Sequence, residues 1–146
     1  MSFDWRHLRT LDRLVVAGAG AALIASFLPW WGVRVGPVSL SVSAWSAGFT
    51  AWAGTLLLIA AGVVVLRRAS ITLIPGNVGP SLLVAGLAAA GLLLVIIRWV
   101  SLPRYEGVDV GARYGIYIAL IAGVVEVTAA CMKLRAEPAA PPRPEE

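Results

Sequence analysis

SLLVAGLAAAGLLLVIIRWV, Ser81 to Val100, is the stretch that decides the fold class. Its one charge, Arg98, lies close to its end, and it contains no proline. About 20 mostly apolar residues, rising 1.5 Å each, cross the roughly 30 Å of hydrocarbon in a bilayer. Gly79-Pro80 precedes the stretch, and proline suits a first helical turn, where its missing N–H is not needed. The stretch reads as a transmembrane helix.

Three more apolar runs flank it. One extends from about Leu14 to Trp31, one from about Ala47 to Leu66, ending at Arg67-Arg68, and one from about Tyr114 to Met132, ending at Lys133. None has an interior proline within its helical part, so each can satisfy its backbone internally, as lipid requires. The expected architecture is an all-α membrane protein, a four-transmembrane-helix bundle occupying residues 1–136. The composition agrees: 59% of the 146 residues are hydrophobic and 14% charged, against roughly 45–50% and 25% in soluble domains. The four runs leave no room for a separate soluble domain.

Orientation follows from counting basic residues. Arg6, Arg9, Arg13, Arg67, Arg68, Lys133, Arg135 and Arg143 fall on one side; Arg34, Arg98, Arg104 and Arg113 fall on the other. Cytoplasmic segments carry the excess, so both termini are expected in the cytoplasm of a bacterial plasma membrane. Met1 to Arg13 is polar and the run after it has no A-x-A exit, so the first helix is expected to stay as an anchor. Trp30, Trp31, Trp45, Trp52, Trp99 and Tyr105 gather near the outer boundary as interfacial anchors. Trp5, Leu8 and Leu11 suggest a short interfacial helix. Residues 137–146, EPAAPPRPEE, read as a disordered tail.

The first outer loop, GVRVGPVSLSVSAW from Gly32 to Trp45, alternates apolar and polar residues around Gly36-Pro37, which predicts a β-hairpin. Its beginning repeats later in the chain. LPWWGVRVG, Leu28 to Gly36, matches LPRYEGVDVG, Leu102 to Gly111, with one insertion. This suggests a tandem two-helix repeat related by an axis along the membrane normal. The two G-V-x-V-G strands are then expected to pair in a small outer sheet that brings Arg34 and Asp109 together. The alternative is that both charges are simply solvated.

Glu126 stands out chemically. It lies in the fourth run, about 10 Å before Lys133 along a helix. An intramembrane acid is costly and normally faces a bundle interior. Gly115, Ala119, Ala122, Gly123, Glu126 and Ala130 share one helical stripe, whose small residues permit close packing. Arg67, Arg68, Thr55 and Ser26 are candidate partners for the acid. Three readings are open: a packing residue, a proton, ion or substrate site, and a contact to another membrane subunit. The first and third runs carry small residues of their own, Gly18, Ala22 and Ser26, and Ala85, Gly86, Ala89 and Ala90.

Catalysis finds little support. His7 and Cys131 are the only histidine and cysteine, so no multi-residue His/Cys metal site and no internal disulfide can form. Nucleotide-binding, zinc-hydrolase and nucleophile-elbow motifs are missing. No catalytic residue, cofactor or metal is expected. The net charge of +4 comes from residues flanking the runs, where they serve topology rather than nucleic-acid binding.

S-F-L-P-W-W (Ser26 to Trp31), S-A-W (Ser43 to Trp45) and G-A-R-Y-G-I-Y-I-A-L-I-A-G (Gly111 to Gly123) resemble small four-span membrane proteins common in actinobacteria. That resemblance implies localisation and span count, and no activity. The layout also resembles claudin-like tetraspans, without their paired loop cysteines. The functional expectation is a non-enzymatic accessory subunit packed against a larger membrane complex, or a homo-oligomer. The alternatives are a small oligomeric transporter or channel using Glu126, and a binding or sensing module built on the outer loops.

Overall fold

The apolar runs do form helices, and Pro29, Pro80 and Pro103 fall outside them or at a first turn. The computed structural model describes residues 10–70 and 80–136, with α1 (Thr10–Ser26), β1 (Trp31–Val35), β2 (Val38–Val42), α2 (Phe49–Ser70), α3 (Pro80–Val100), β3 (Asp109–Ala112) and α4 (Tyr114–Ala136). Three of these helices are long and apolar enough to cross a membrane, at Phe49–Arg67, Ser81–Val100 and Tyr114–Arg135.

The four-span expectation is therefore corrected to three among the described residues. The run from Leu14 to Trp31 does not stay helical. Its last turn tightens, with Phe27 N–H donating to Ile24 O and Leu28 N–H to Ala25 O, and the chain then leaves the helix at Pro29. Trp31 already belongs to a strand. The 17 residues of α1 cover about 25 Å, short of a 30 Å core, and its first turn carries Asp12 and Arg13. The expected N-terminal interfacial helix and the tail at 137–146 lie outside the described residues.

The helices pack as a ring in which α1 touches α2, α2 touches α3, α3 touches α4 and α4 returns to α1, with little contact across the diagonals. A glycine sits in every seam. A Cβ on Gly62 would collide with Ala19 between α1 and α2, and one on Gly123 would lie 2.8 Å from Leu92 between α4 and α3. Gly54 and Gly91 face each other between α2 and α3, and Gly18 meets Glu126 between α1 and α4. Without a hydrophobic drive between helices in lipid, such close approach is a main source of association. The core forms two apolar clusters. One contains Ala22, Ala25, Trp30, Leu58, Val95 and Ala119 toward the sheet; the other contains Val15, Ala61, Val65, Ala88 and Ala129 toward the opposite end.

The strands form a three-stranded antiparallel sheet in the order β2-β1-β3. Two residues, Gly36 and Pro37, connect β1 to β2. Gly36 has φ of +57°. Proline cannot adopt the positive φ that a type I′ turn needs at its second central position, which leaves type II′. The register opposes Trp31 to Val42 and Ala112, Val33 to Leu40 and Val110, and Val35 to Val38. One face of the sheet is thus wholly apolar, and the other carries Gly32, Arg34, Ser39, Ser41, Asp109 and Gly111. Trp31, Val42 and Ala112 anchor the apolar face on the helix core, while Val35, Val38 and Leu40 extend beyond it and are exposed.

The expected ring of tryptophan anchors is corrected at Trp30. It is fully buried, and its indole N–H donates to Ala25 O at 2.8 Å, closing the end of α1. Trp31 is half-buried beneath Arg98, whose guanidinium carbon is 5.8 Å from the ring centroid, a cation–π arrangement. Trp45 and Trp99 are exposed, beside Phe27 and Tyr117 respectively.

Candidate functional site

Glu126 occupies the layer between the two apolar clusters. On α4, Ala122 belongs to the cluster near the sheet and Ala129 to the other; on α1, Ala22 and Val15 divide in the same way. The acid is fully buried, and neither carboxyl oxygen has a hydrogen-bond partner among the described residues. Gly18 makes room for it: a Cβ there would lie 2.5 Å from Glu126 Cγ and 3.1 Å from Oε1.

The partners suggested by sequence go elsewhere. Thr55 Oγ1 donates to Ala51 O at 2.8 Å and Ser26 Oγ to Leu23 O at 2.5 Å, each within its own helix. This back-bonding is common for hydroxyl residues in helices. Arg67 is exposed, and the side chain of Arg68 lies outside the described residues. An acid in this position can be held as a neutral carboxyl, or can take a proton or cation that reaches it; as an unpartnered anion it would be expensive.

An apolar groove of about 350 Å³ runs along the α1/α4 seam, lined by Ala17, Gly18, Ala21, Ile118, Ile121, Ala122 and Val125. Gly18 and Ala122 form part of the groove and also neighbour Glu126. At the basic end of the same seam, Lys133 Nζ donates to Asp12 Oδ1, an ion pair between partly buried side chains. Its position in the sequence marks Lys133 for topology and does not reveal this contact. The acidic residue in the first turn of α1 is the signal that was available.

The stripe on α4 is spent inside the chain. Gly115 lies against Pro29 and Trp30, Ala119 and Ala122 are buried in the core, and Gly123 receives Leu92 of α3. On α3, by contrast, Gly86 faces open space, and Ala89 and Ala90 are exposed.

At the sheet, Arg34 stands opposite Asp109 in the β1/β3 register. Both side chains are exposed, and they form no ion pair with each other. Register brings these residues together; charge pairing does not hold them. Among the described residues, no three His, Cys, Asp or Glu side chains converge to hold a metal. No family model matches the chain, and no curated protein matches its sequence.

Proposed function

We propose that this chain is a non-enzymatic accessory protein of the bacterial plasma membrane that acts through protein–protein contact at its outer sheet. The supporting observation is the uncovered half of the sheet's apolar face, where Val35, Val38 and Leu40 are 57–65% exposed on an element outside the helices. Apolar side chains gathered on one face mark a surface that is covered in use. The exposed residues of the helices need no protein partner, because lipid covers them.

In the proposed orientation the three spans α2, α3 and α4 set the sheet outward and the Lys133 end of α4 toward the cytoplasm, with α1 packed against α2 and α4 and not counted as a span. Arg13, Arg67, Lys133 and Arg135 at that end equal Arg34, Arg98, Arg104 and Arg113 at the other. The bias comes from Arg6, Arg9, Arg68 and Arg143. Native mass spectrometry of the full chain, extracted from its own membranes in mild detergent, tests the proposal. The expected result is a stoichiometric complex that the double variant Val38→Ser/Leu40→Ser dissociates. Recovery of a lone monomer, identical for the two proteins, overturns it.

A second reading rests on a different observation, the unpartnered carboxyl of Glu126. An oligomer of this chain would use it as a proton or ion site. Glu126→Gln should then abolish flux in proteoliposomes while leaving helical content intact; unchanged flux removes this reading.

A further inference from the structure

β2 is an edge strand, with β1 on one side and nothing on the other among the described residues. The hydrogen-bonding pattern shows which of its backbone groups are free. Arg113 N–H donates to Trp30 O at 2.8 Å, and Trp31 opposes Ala112. In an antiparallel ladder this makes Trp31–Ala112 a non-hydrogen-bonded pair, so the N–H and C=O of Trp31, Val33 and Val35 turn toward β2. Their opposites Val42, Leu40 and Val38 turn toward β1. The carbonyl of Leu40 agrees: it would lie 2.9 Å from a Cβ on Gly32. Ser39 and Ser41 therefore present both backbone groups to the free side.

Natural edge strands are usually blunted by charge, proline or a bulge. β2 has no charge and no proline, and it pairs with β1 residue for residue. The opposite edge, β3, carries Asp109 and is shorter. The sequence of β2 is also a palindrome, Val38-Ser39-Leu40-Ser41-Val42. A two-fold interface sets the same surface against itself, and a palindromic antiparallel strand meets that condition at every position. With Leu40 opposite Leu40 of a second copy, each Ser39 faces the other copy's Ser41, and each Val38 faces the other copy's Val42. Ser39 and Ser41 are the residues whose backbone groups point outward, so they exchange both ladder bonds across the interface. Leu40 falls on the non-hydrogen-bonded pair, where side chains approach most closely. A slip of one residue would set Ser against Leu and turn the apolar face over.

We propose that the free edge of β2 pairs antiparallel with β2 of a second copy of this chain, centred on Leu40, to form a continuous six-stranded sheet. This rests on reading the sheet as an interaction element, and it specifies the partner at its edge.

Register-specific crosslinking in the full chain, in native membranes, tests the inference. Cys131 is exposed and is first replaced, as Cys131→Ser, so that it forms no bridge of its own. In that background Leu40→Cys should give a covalent dimer on mild oxidation, because its Cβ atoms fall close to disulfide range. Val38→Cys alone should not, because its two copies are offset by four residues, about 13 Å along the strand. Co-expressed Val38→Cys and Val42→Cys variants should bridge to each other. Adding Ser41→Pro to Leu40→Cys removes an outward N–H that the monomer does not use, and should lower the crosslink at least about tenfold. Circular dichroism checks that this variant keeps its fold; an unfolded variant is replaced by Ser39→Pro, which makes the same test. No dimer at Leu40→Cys, or equal yields at all three positions, overturns the inference. If that happens while the Val38→Ser/Leu40→Ser pair still dissociates a different protein, edge pairing fails and the accessory reading stands. If that pair also changes nothing, both fail.

Discussion

The α2/α3 seam and the α1/α4 seam both depend on glycine, for different purposes. Between α2 and α3, Gly54 and Gly91 are reciprocal: a Cβ on either would lie 2.9 Å from the carbonyl oxygen of the other. The missing side chains let two backbones touch, and no flexible group is available to yield. Between α1 and α4, Gly18 has a carboxylic acid opposite it. Here the missing side chain makes space for a polar group at mid-bundle, and the seam also holds a groove and a terminal ion pair. One seam is built for contact. The other contains features that packing alone does not require.

Substitutions can break or sharpen this contrast. The largest effect is expected at the backbone contact: Gly91→Val should cost about 3 kcal/mol, because overpacking against a carbonyl cannot be relieved by a rotamer change. Denaturant titration in mixed micelles, followed by circular dichroism, would measure it; a loss under about 1 kcal/mol would mean that the seam yields. Gly18→Ala should cost less, about 2 kcal/mol, and most of that cost should disappear in a Glu126→Ala background, which leaves only the contact with the Ala122 carbonyl oxygen at 3.1 Å. An unchanged cost in the double-mutant cycle would separate Gly18 from the acid. Asp12→Asn removes the charge pairing with Lys133 at the seam's end, and should lower the unfolding midpoint by the equivalent of about 1 kcal/mol, as for a partly exposed pair. The smallest effect belongs to a glycine outside any seam. Gly86→Ala meets open space, and should leave stability unchanged or raise it by about 0.5 kcal/mol through helix propensity.

The apolar runs made the helices legible, because lipid imposes length and hydropathy directly on sequence. The end of α1 was not legible in this way. Phe27 to Trp31 is as apolar as a span, but Pro29 turns the chain, and the N–H of Trp30 finds a distant acceptor at Val42. Hydropathy cannot register a tertiary hydrogen bond. The repeated G-V-x-V-G did indicate that β1 and β3 lie side by side, since glycine-bounded alternation specifies a strand and its register. It did not indicate that the opposed Arg34 and Asp109 would leave each other unpaired, because exposed side chains gain little from pairing. Glu126 was conspicuous as an acid in an apolar run. Its position against Gly18 depends on which helix α4 meets, and α4 is buried on two sides, so no single stripe names the neighbour. Asp12 and Lys133 are separated by 121 positions, and no local pattern links them.

The ring of helices closes only when its first and last members meet. During synthesis α1, α2 and α3 can associate through Gly62, Gly54 and Gly91, but the Gly18 face of α1 has nothing to receive until α4 emerges. Glu126 is therefore made last, into a membrane where its cavity wall already stands. A chain halted before α4 would leave that notch open to lipid and lack Lys133 to neutralise Asp12. Truncated products would thus differ from finished ones along both seams that α4 makes, with α1 and with α3.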